Sequence, residues 1–148
     1  MKRTLLIISA LLVVIVLGGL ATLSLMGEEG PTLDRESKEF VDASVPLMAT
    51  GWRADDLRSL ASPELLRAQG GDLGPLATSL SELGSLRHYN GADGEANIDI
   101  SPNHGETITA TYTAHADFSN GPADLHLRLI KHDAQWQLLA IEAEPGKH

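Results

Sequence analysis

The chain has 148 residues, of which 43% are hydrophobic and only 4% aromatic, and the apolar residues are concentrated near the N-terminus. Outside that region about 120 residues remain, which is enough for one small domain, so repeat arrays and large multidomain enzymes are excluded. The part after the apolar region has 9 basic and all 20 acidic residues, a formal charge of −11. Such a charge repels phosphate backbones, so we expect no nucleic-acid partner. The absence of cysteine excludes disulfides, thiolate metal sites and cysteine nucleophiles.

The apolar run covers residues 5–26 and contains no charged side chain. As a helix, 22 residues span about 33 Å, close to the ~30 Å hydrocarbon core of a bilayer. Lys2 and Arg3 precede the run, and Glu28 and Glu29 follow it. By the positive-inside rule, residues 1–26 are predicted to be a single-pass anchor in a bacterial inner membrane, with the N-terminus cytoplasmic and the following domain periplasmic.

A cleaved signal peptide is the alternative interpretation of the same segment. Residues 5–17 form an apolar core, and Gly19-Leu20-Ala21 offers small side chains for cleavage after Ala21. The apolar stretch continues to Met26, which is unusual for a mature secreted N-terminus. Either interpretation exports the domain; cleavage would release it into the periplasm.

Residues 27–32 are predicted to be a short polar linker, and residues 33–145 a single domain that starts with helices. Apolar residues at helical spacing predict an amphipathic helix from Leu33 that bends or restarts near Pro46 and ends at Thr50-Gly51. Its apolar positions are Leu33, Phe40, Val41, Val45 and Met48.

Three shorter helices are predicted to follow, over residues 52–60, 63–69 and 73–83. Asp55 and Asp56 suit the first turn of the second helix. Ser62-Pro63-Glu64 has the pattern of an N-cap, a proline at the first helical position and an adjacent acid. Gly84 is expected to close the last helix.

From residue 86 onward the apolar pattern alternates with a period of two, which predicts an antiparallel sheet joined by hairpins. The predicted strands are a short one at 86–89 and four others at 96–101, 108–118, 125–129 and 135–143. One face of this sheet is apolar, so the helices are expected to cover it and the fold class is α+β. The residues assigned to that face include Ala96, Ile98, Ile100, Ile108, Ala110, Tyr112, Ala114, Ala116, Phe118, Leu125, Leu127, Leu129, Trp136, Leu138 and Ala140.

This layout resembles the NTF2-like (cystatin-like) superfamily over residues 35–143. The resemblance is carried by the helix break at Thr50-Gly51-Trp52, the helix start at Ser62-Pro63-Glu64-Leu65, and the final-strand segment Ala134-Gln135-Trp136-Gln137-Leu138. It implies helices packed on one face of a curved antiparallel sheet, in the shape of a cone. The fold hosts both enzymes and non-catalytic proteins, so the resemblance does not by itself choose a function.

Enzymes of this superfamily, such as ketosteroid isomerases and dehydratases, work inside the cone with carboxylates, tyrosine or histidine. Among the predicted inward residues of the sheet only Tyr112 and Trp136 carry a polar atom, and none is a carboxylate, which argues against isomerase-like chemistry. The small alanines either leave a cavity for an apolar ligand or let a helix pack closely. The candidate ligand-binding residues are Tyr112, Ala114, Ala116, Leu127 and Trp136.

The opposite, polar face of the sheet carries His115 and Asp117 on one strand, His126 and Arg128 on the next, and Asp99 on an earlier one. A metal site built on His115 and His126 is conceivable, but such residues also occur on ordinary solvated sheet faces. The other histidines, which are His88, His104, His132 and His148, fall in turns or at the terminus. Serine-nucleophile and phosphate-loop motifs are missing from the sequence. We therefore predict no catalytic residues, no metal and no cofactor.

These observations favour a membrane-anchored, non-enzymatic interaction module, such as an accessory subunit of a membrane protein complex. Its partners would be the bilayer, through residues 5–26, and a protein in the membrane or periplasm that pairs with an edge strand or packs on the polar sheet face. The alternative is a binding protein or enzyme for a small apolar ligand in the cone. A cavity above ~300 Å³ lined by the five candidate residues would favour the ligand, and a filled interior would favour docking.

Overall fold

The computed structural model describes residues 29–146, which form four helices and one antiparallel sheet of four strands in an α+β arrangement. The helices are α1 (Glu29–Ala49), α2 (Ala54–Leu60), α3 (Pro63–Ala68) and α4 (Gly74–Ser81). The strands are β1 (Leu86–Ser101), β2 (Gly105–Phe118), β3 (Gly121–His132) and β4 (Gln135–Pro145), and they lie in the sheet in chain order.

The predicted membrane segment lies outside the described residues, as does His148. Within residues 29–146, no helix combines the length and the apolar character needed to cross a bilayer.

Helix α1 starts earlier than its hydrophobic pattern predicts. Residues 29–32, which the sequence analysis assigns to the linker, belong to the helix. Pro31 falls in the first turn, where a backbone N–H has no helical partner and proline is tolerated. Pro46 lies inside the last turns without ending the helix, which continues to Ala49. The predicted end at Thr50-Gly51 is confirmed within one residue.

The short helices follow the local signals of the sequence. The Ser62 hydroxyl accepts a hydrogen bond from the Leu65 backbone N–H at 3.1 Å, which confirms the predicted N-cap of α3. Helix α2 begins at Ala54, two residues after the predicted start, because Trp52 has a positive φ of 48°. The Trp52 indole N–H donates to the Gly84 carbonyl oxygen at 2.9 Å, so this turn is fixed to the end of the helical region.

Strand β1 is one continuous strand, whereas the sequence pattern predicts two separate ones. Asn90 and Gly91 lie between Tyr89, which pairs with Ala116, and Ala92, which pairs with Ala114. Two residues of β1 therefore stand opposite one residue of β2, and Gly91 adopts the positive φ of 98° that this bulge requires. Asn90-Gly91 thus forms a bulge within one continuous strand.

One face of the sheet is buried beneath the helices and holds most of the core. Strands β2 and β3 alternate regularly between buried and more exposed positions. The buried members, as predicted, are Ala110, Tyr112, Ala114, Ala116, Phe118, Leu125, Leu127, Leu129, Trp136 and Leu138. Helix α1 contributes Val41, Val45 and Met48 from the other side.

A further bulge, at Leu139, reverses the alternation of β4. Arg128 pairs with Ala140, whereas the next residue, Leu129, pairs with Leu138, so Leu139 is the extra residue. The prediction that Ala140 faces the core is wrong for this reason. Ile141 takes the inward position opposite Leu127 and is 5% exposed.

The predicted burial of Ile98 and Ile100 is also wrong. Ile98 is 41% exposed and Ile100 is 79% exposed. The pairing between β2 and β3 begins at Thr109, so the part of the β1–β2 hairpin beyond that residue is paired only within itself. Apolar and polar residues do alternate in this segment, but the hairpin extends past the rest of the sheet, so its apolar side is not covered.

Candidate functional site

The structure brings four of the five candidate ligand-binding residues together on the inner face. Tyr112, Ala114 and Ala116 follow one another on β2, and Leu127 pairs directly with Tyr112. Trp136 pairs instead with Lys131, four residues further along β3, or about 13 Å away at the usual rise of a strand. Trp136 therefore lies at the end of the inner face, apart from the other four.

The Tyr112 side chain is a structural contact between the sheet and α1. It is 2% exposed, and its hydroxyl donates to the Asp34 carbonyl oxygen at 2.9 Å and lies 2.8 Å from the Ser37 Oγ. Burial raises the pKa of this phenol, so the hydroxyl stays protonated. Because its hydrogen-bonding capacity is used by the helix, Tyr112 offers no free polar group to a ligand at this position.

The end of the inner face near Trp136 is closed by ionic contacts to the helices. Lys131 reaches the Glu36 carboxylate at 2.7 Å and lies 5.7 Å from the centre of the Trp136 ring. The hydrogen bond from Lys131 lowers the pKa of Glu36, against a smaller opposing effect of burial. His132, expected in an exposed turn, ends β3 instead and hydrogen-bonds Glu64 of α3 at 3.0 Å.

Two cavities among the described residues lie away from the candidate ligand-binding residues. The larger, an open cleft of about 650 Å³, lies between α4 and β4. It is lined by Leu76, Ser79, Leu80, Glu82, Leu83, Ile141, Glu142 and Ala143. The smaller, of about 140 Å³, lies beside the turn between β2 and β3. Neither is lined by Tyr112, Ala114, Ala116, Leu127 or Trp136.

A carboxylate and a tyrosine meet between α1 and β1, a pair that the sequence pattern does not reveal. The Tyr89 hydroxyl donates to Asp42 at 2.6 Å, and Lys38 contacts the other oxygen of the same carboxylate at 2.9 Å. Burial raises the pKa of Asp42, but these two hydrogen bonds outweigh it and the pKa is lowered overall. Burial and the ionised Asp42 both raise the pKa of Tyr89, so the phenol stays neutral. The pair fastens α1 to the edge strand.

The outer face of the sheet places His115 between two carboxylates from neighbouring strands. Its Nδ1 lies 2.8 Å from Asp124 of β3, and its Nε2 lies 3.4 Å from Asp93 of β1. The hydrogen bond to Asp124 is the largest cause of a raised His115 pKa, and Asp93 acts in the same direction. Both ring nitrogens of His115 thus face carboxylates, so neither is directed at a metal ion.

His126 lies next to this group and is paired in a similar way. Its Nδ1 is 3.2 Å from the Thr113 hydroxyl, and its Nε2 is 2.9 Å from Glu144 of β4. Throughout the part of the chain that the structure describes, no group of three or more histidine, aspartate or glutamate side chains is arranged to hold a metal ion. The outer face thus carries histidine–carboxylate pairs that link side chains of all four strands.

Comparison with known proteins adds no family to these observations. No family model, no curated protein and no solved structure matches the chain.

Proposed function

We propose that this protein is a membrane-anchored, non-enzymatic interaction module. In this proposal residues 5–26 hold the chain in the inner membrane, and an NTF2-like domain on the periplasmic side binds a protein, as an accessory subunit of a membrane complex. The observation that carries the proposal is the inner face of the sheet, where the Tyr112 hydroxyl is hydrogen-bonded to α1 and the neighbouring Ala114 and Leu127 are fully buried.

The burial of these residues and the hydrogen bonds of Tyr112 count against a ligand or substrate in the cone. Catalysis there requires space beside a carboxylate with a perturbed pKa and a free hydrogen-bond donor. Asp42, the carboxylate that contacts Tyr89, has a lowered pKa and is already held by Lys38. A small apolar ligand would have to separate Tyr112 from Ser37, which makes this alternative less well supported.

The outer sheet face is the surface that we assign to the protein partner. Carboxylates of three different strands, Asp93, Asp124 and Glu144, lie there beside two histidines. The contacts between these carboxylates and histidines already hold the side chains in place, so binding a partner would cost little side-chain entropy. The excess of carboxylates favours a partner with a basic surface.

Site-specific photo-crosslinking in the native membrane tests this assignment. A photoreactive residue at Thr111, exposed on the outer side of β2, is expected to give a discrete crosslinked product with a protein larger than the chain itself. The matched control is Thr78, equally exposed but on α4. Equal labelling at both positions, or purification of the chain as a lone monomer after gentle extraction, would contradict the proposal.

The anchor is tested separately by alkaline extraction of membranes. An uncleaved anchor keeps the full chain in the membrane pellet with an intact N-terminus. Cleavage near Ala21 would instead give a soluble chain that begins at Thr22, and N-terminal sequencing distinguishes the two outcomes.

A further inference from the structure

The second half of β4 is an open edge of the sheet. The strand order places β4 beside β3 alone. Near its start the edge is covered by the chain itself, because Ala61 forms a parallel bridge with Leu138 and the Ser62 backbone N–H donates to the Leu138 carbonyl oxygen at 2.9 Å. Among the described residues, no further backbone contact of this kind covers the edge from Ile141 onward.

The strand register shows which backbone groups point out from this edge. Gly146, just after β4, donates its backbone N–H to the Pro122 carbonyl oxygen at 3.0 Å and so points toward β3. Backbone groups alternate in direction along a strand, so the N–H and C=O of Ile141 and Ala143 point away from β3. Within residues 29–146, these groups have no hydrogen-bond partner on that side. An extended segment laid along β4 can pair with them by strand addition.

The cleft of about 650 Å³ between α4 and β4 lies directly beside the open edge, and its volume is within the ~300–1,000 Å³ range of ligand clefts. Ala143 lines it and pairs with the fully buried Leu125, so both face the inner side of the sheet. Ala143 is nevertheless exposed, which shows that the helices leave this part of the inner face open. The leucines that line the cleft from the helical side are Leu76, Leu80 and Leu83. We call this cleft together with the open edge at Ile141 and Ala143 the edge groove.

The charged side chains of the edge groove are both acidic. Glu82 and Glu142 line the cleft and are exposed. In the part of the chain that the structure describes, neither carboxylate contacts a basic side chain, whereas Glu144 pairs with His126. Since Glu142 and Ala143 are adjacent on β4, they face opposite sides of the sheet. A strand added here would therefore place alternate side chains in an apolar cleft and beside a carboxylate.

We propose that the edge groove binds an extended segment of a partner protein in which aliphatic and basic residues alternate. The segment adds a strand to β4 through the outward backbone groups of Ile141 and Ala143. Its aliphatic side chains enter the cleft against Leu76, and its basic side chains lie beside Glu142. This contact is separate from the outer-face contact proposed above, and it does not depend on residues 5–26 being an anchor.

A second copy of the chain suits the edge groove less well. Two copies related by a two-fold axis would pair their β4 edges in the antiparallel sense. With the pairing centred on Glu142 or on Ala143, Glu142 would stand opposite Glu142 or Glu144 of the second copy. Like charges directly opposite each other across two strands are destabilising, whereas a basic residue at that place is stabilising.

Peptide binding to the full chain in a nonionic detergent, followed by fluorescence anisotropy, tests the proposal. The probe is a labelled hexapeptide in which lysine and valine alternate. The control peptide has the same composition, with all its lysines before all its valines, so its charge is the same. The alternating peptide is expected to bind about tenfold more tightly, because only it can place its valines on one side of an added strand and its lysines on the other.

Variants of the edge groove separate backbone pairing from charge. Ala143→Pro removes an N–H that points out from the edge, where proline is tolerated, and is expected to weaken binding about tenfold. Ala143→Ser keeps this N–H and should bind within about twofold of the unchanged chain. Glu142→Lys should weaken binding of the alternating peptide severalfold. Its matched control is Glu106→Lys, the same change of net charge at an exposed position of β2 outside the groove.

Three results would overturn the proposal. The first is no binding of the alternating peptide. The second is equal binding of the two peptides, or equal losses in Glu142→Lys and Glu106→Lys, because net charge alone would then explain the attraction. The third is a dimer in sedimentation velocity that Glu142→Lys converts to a monomer, which would show that a second copy covers the edge. If circular dichroism shows that Ala143→Pro does not fold, the peptide pair and the two lysine variants still decide the question.

Discussion

Removal of the Tyr112 hydroxyl tests whether the inner face is a structural core. In Tyr112→Phe the aromatic ring, which is 2% exposed, keeps its packing, while the hydrogen bonds to the Asp34 carbonyl and the Ser37 Oγ are lost. The loss of a buried hydrogen bond that leaves its partners less satisfied costs about 1–2 kcal/mol. For a domain of about 120 residues this corresponds to a decrease in melting temperature of about 4–8 °C.

Thermal denaturation of the full chain in detergent, followed by circular dichroism, measures this decrease. A double-mutant cycle with Ser37→Ala isolates the Tyr112–Ser37 contact, and the two changes together should cost less than the sum of each alone. Thr111→Val removes an exposed hydroxyl from the next residue of β2 and serves as the control, with an effect within about 0.5 kcal/mol. Unchanged stability in Tyr112→Phe would refute the view that this hydroxyl supports the core, and would revive a ligand as its natural partner.

Two further changes probe the sheet from its inner and outer sides. Gly94→Ala should destabilise the domain by about 1–3 kcal/mol in the same assay, because its Cβ would overlap the Thr111 carbonyl oxygen and meet the Tyr112 ring at 2.7 Å. Gly51→Ala, where no atom is closer than 3.6 Å, should not destabilise it. The raised pKa of His115 means that its pairing stabilises the fold fully below the ordinary pKa of 6.5 and is lost as the pH rises through the higher folded-state value. In Asp124→Asn the melting temperature should therefore depend less on pH than in the unchanged chain. An unchanged dependence of the melting temperature on pH would show that the His115–Asp124 pair does not contribute to stability.

The elements with strong local signals could be predicted from the sequence. Ser62-Pro63 specifies a helix start through a side-chain cap and a preset φ, and both depend only on neighbouring residues. The alternation of β2 is equally direct, since each buried residue from Ala110 to Phe118 is two positions from the next. These features predict the α+β class without any long-range information.

The bulges at Asn90-Gly91 and at Leu139 could not be predicted in the same way. A single extra residue, such as Leu139, leaves no mark in composition but exchanges the inward and outward positions after it. Asn90-Gly91 has the composition of a turn, and only its pairing with β2 shows that the strand continues. The burial of Ala140 and the continuity of β1 therefore depend on the partner strand.

The polar contacts of the candidate site are still less accessible from sequence. Asp42 and Tyr89 are 47 residues apart, and His115 and Asp124 lie on different strands. His115 can be placed on the outer face from its position in β2, but its carboxylate partners follow from the register between strands. The exposure of Ile98 has the same origin, because it depends on where β3 stops pairing with β2.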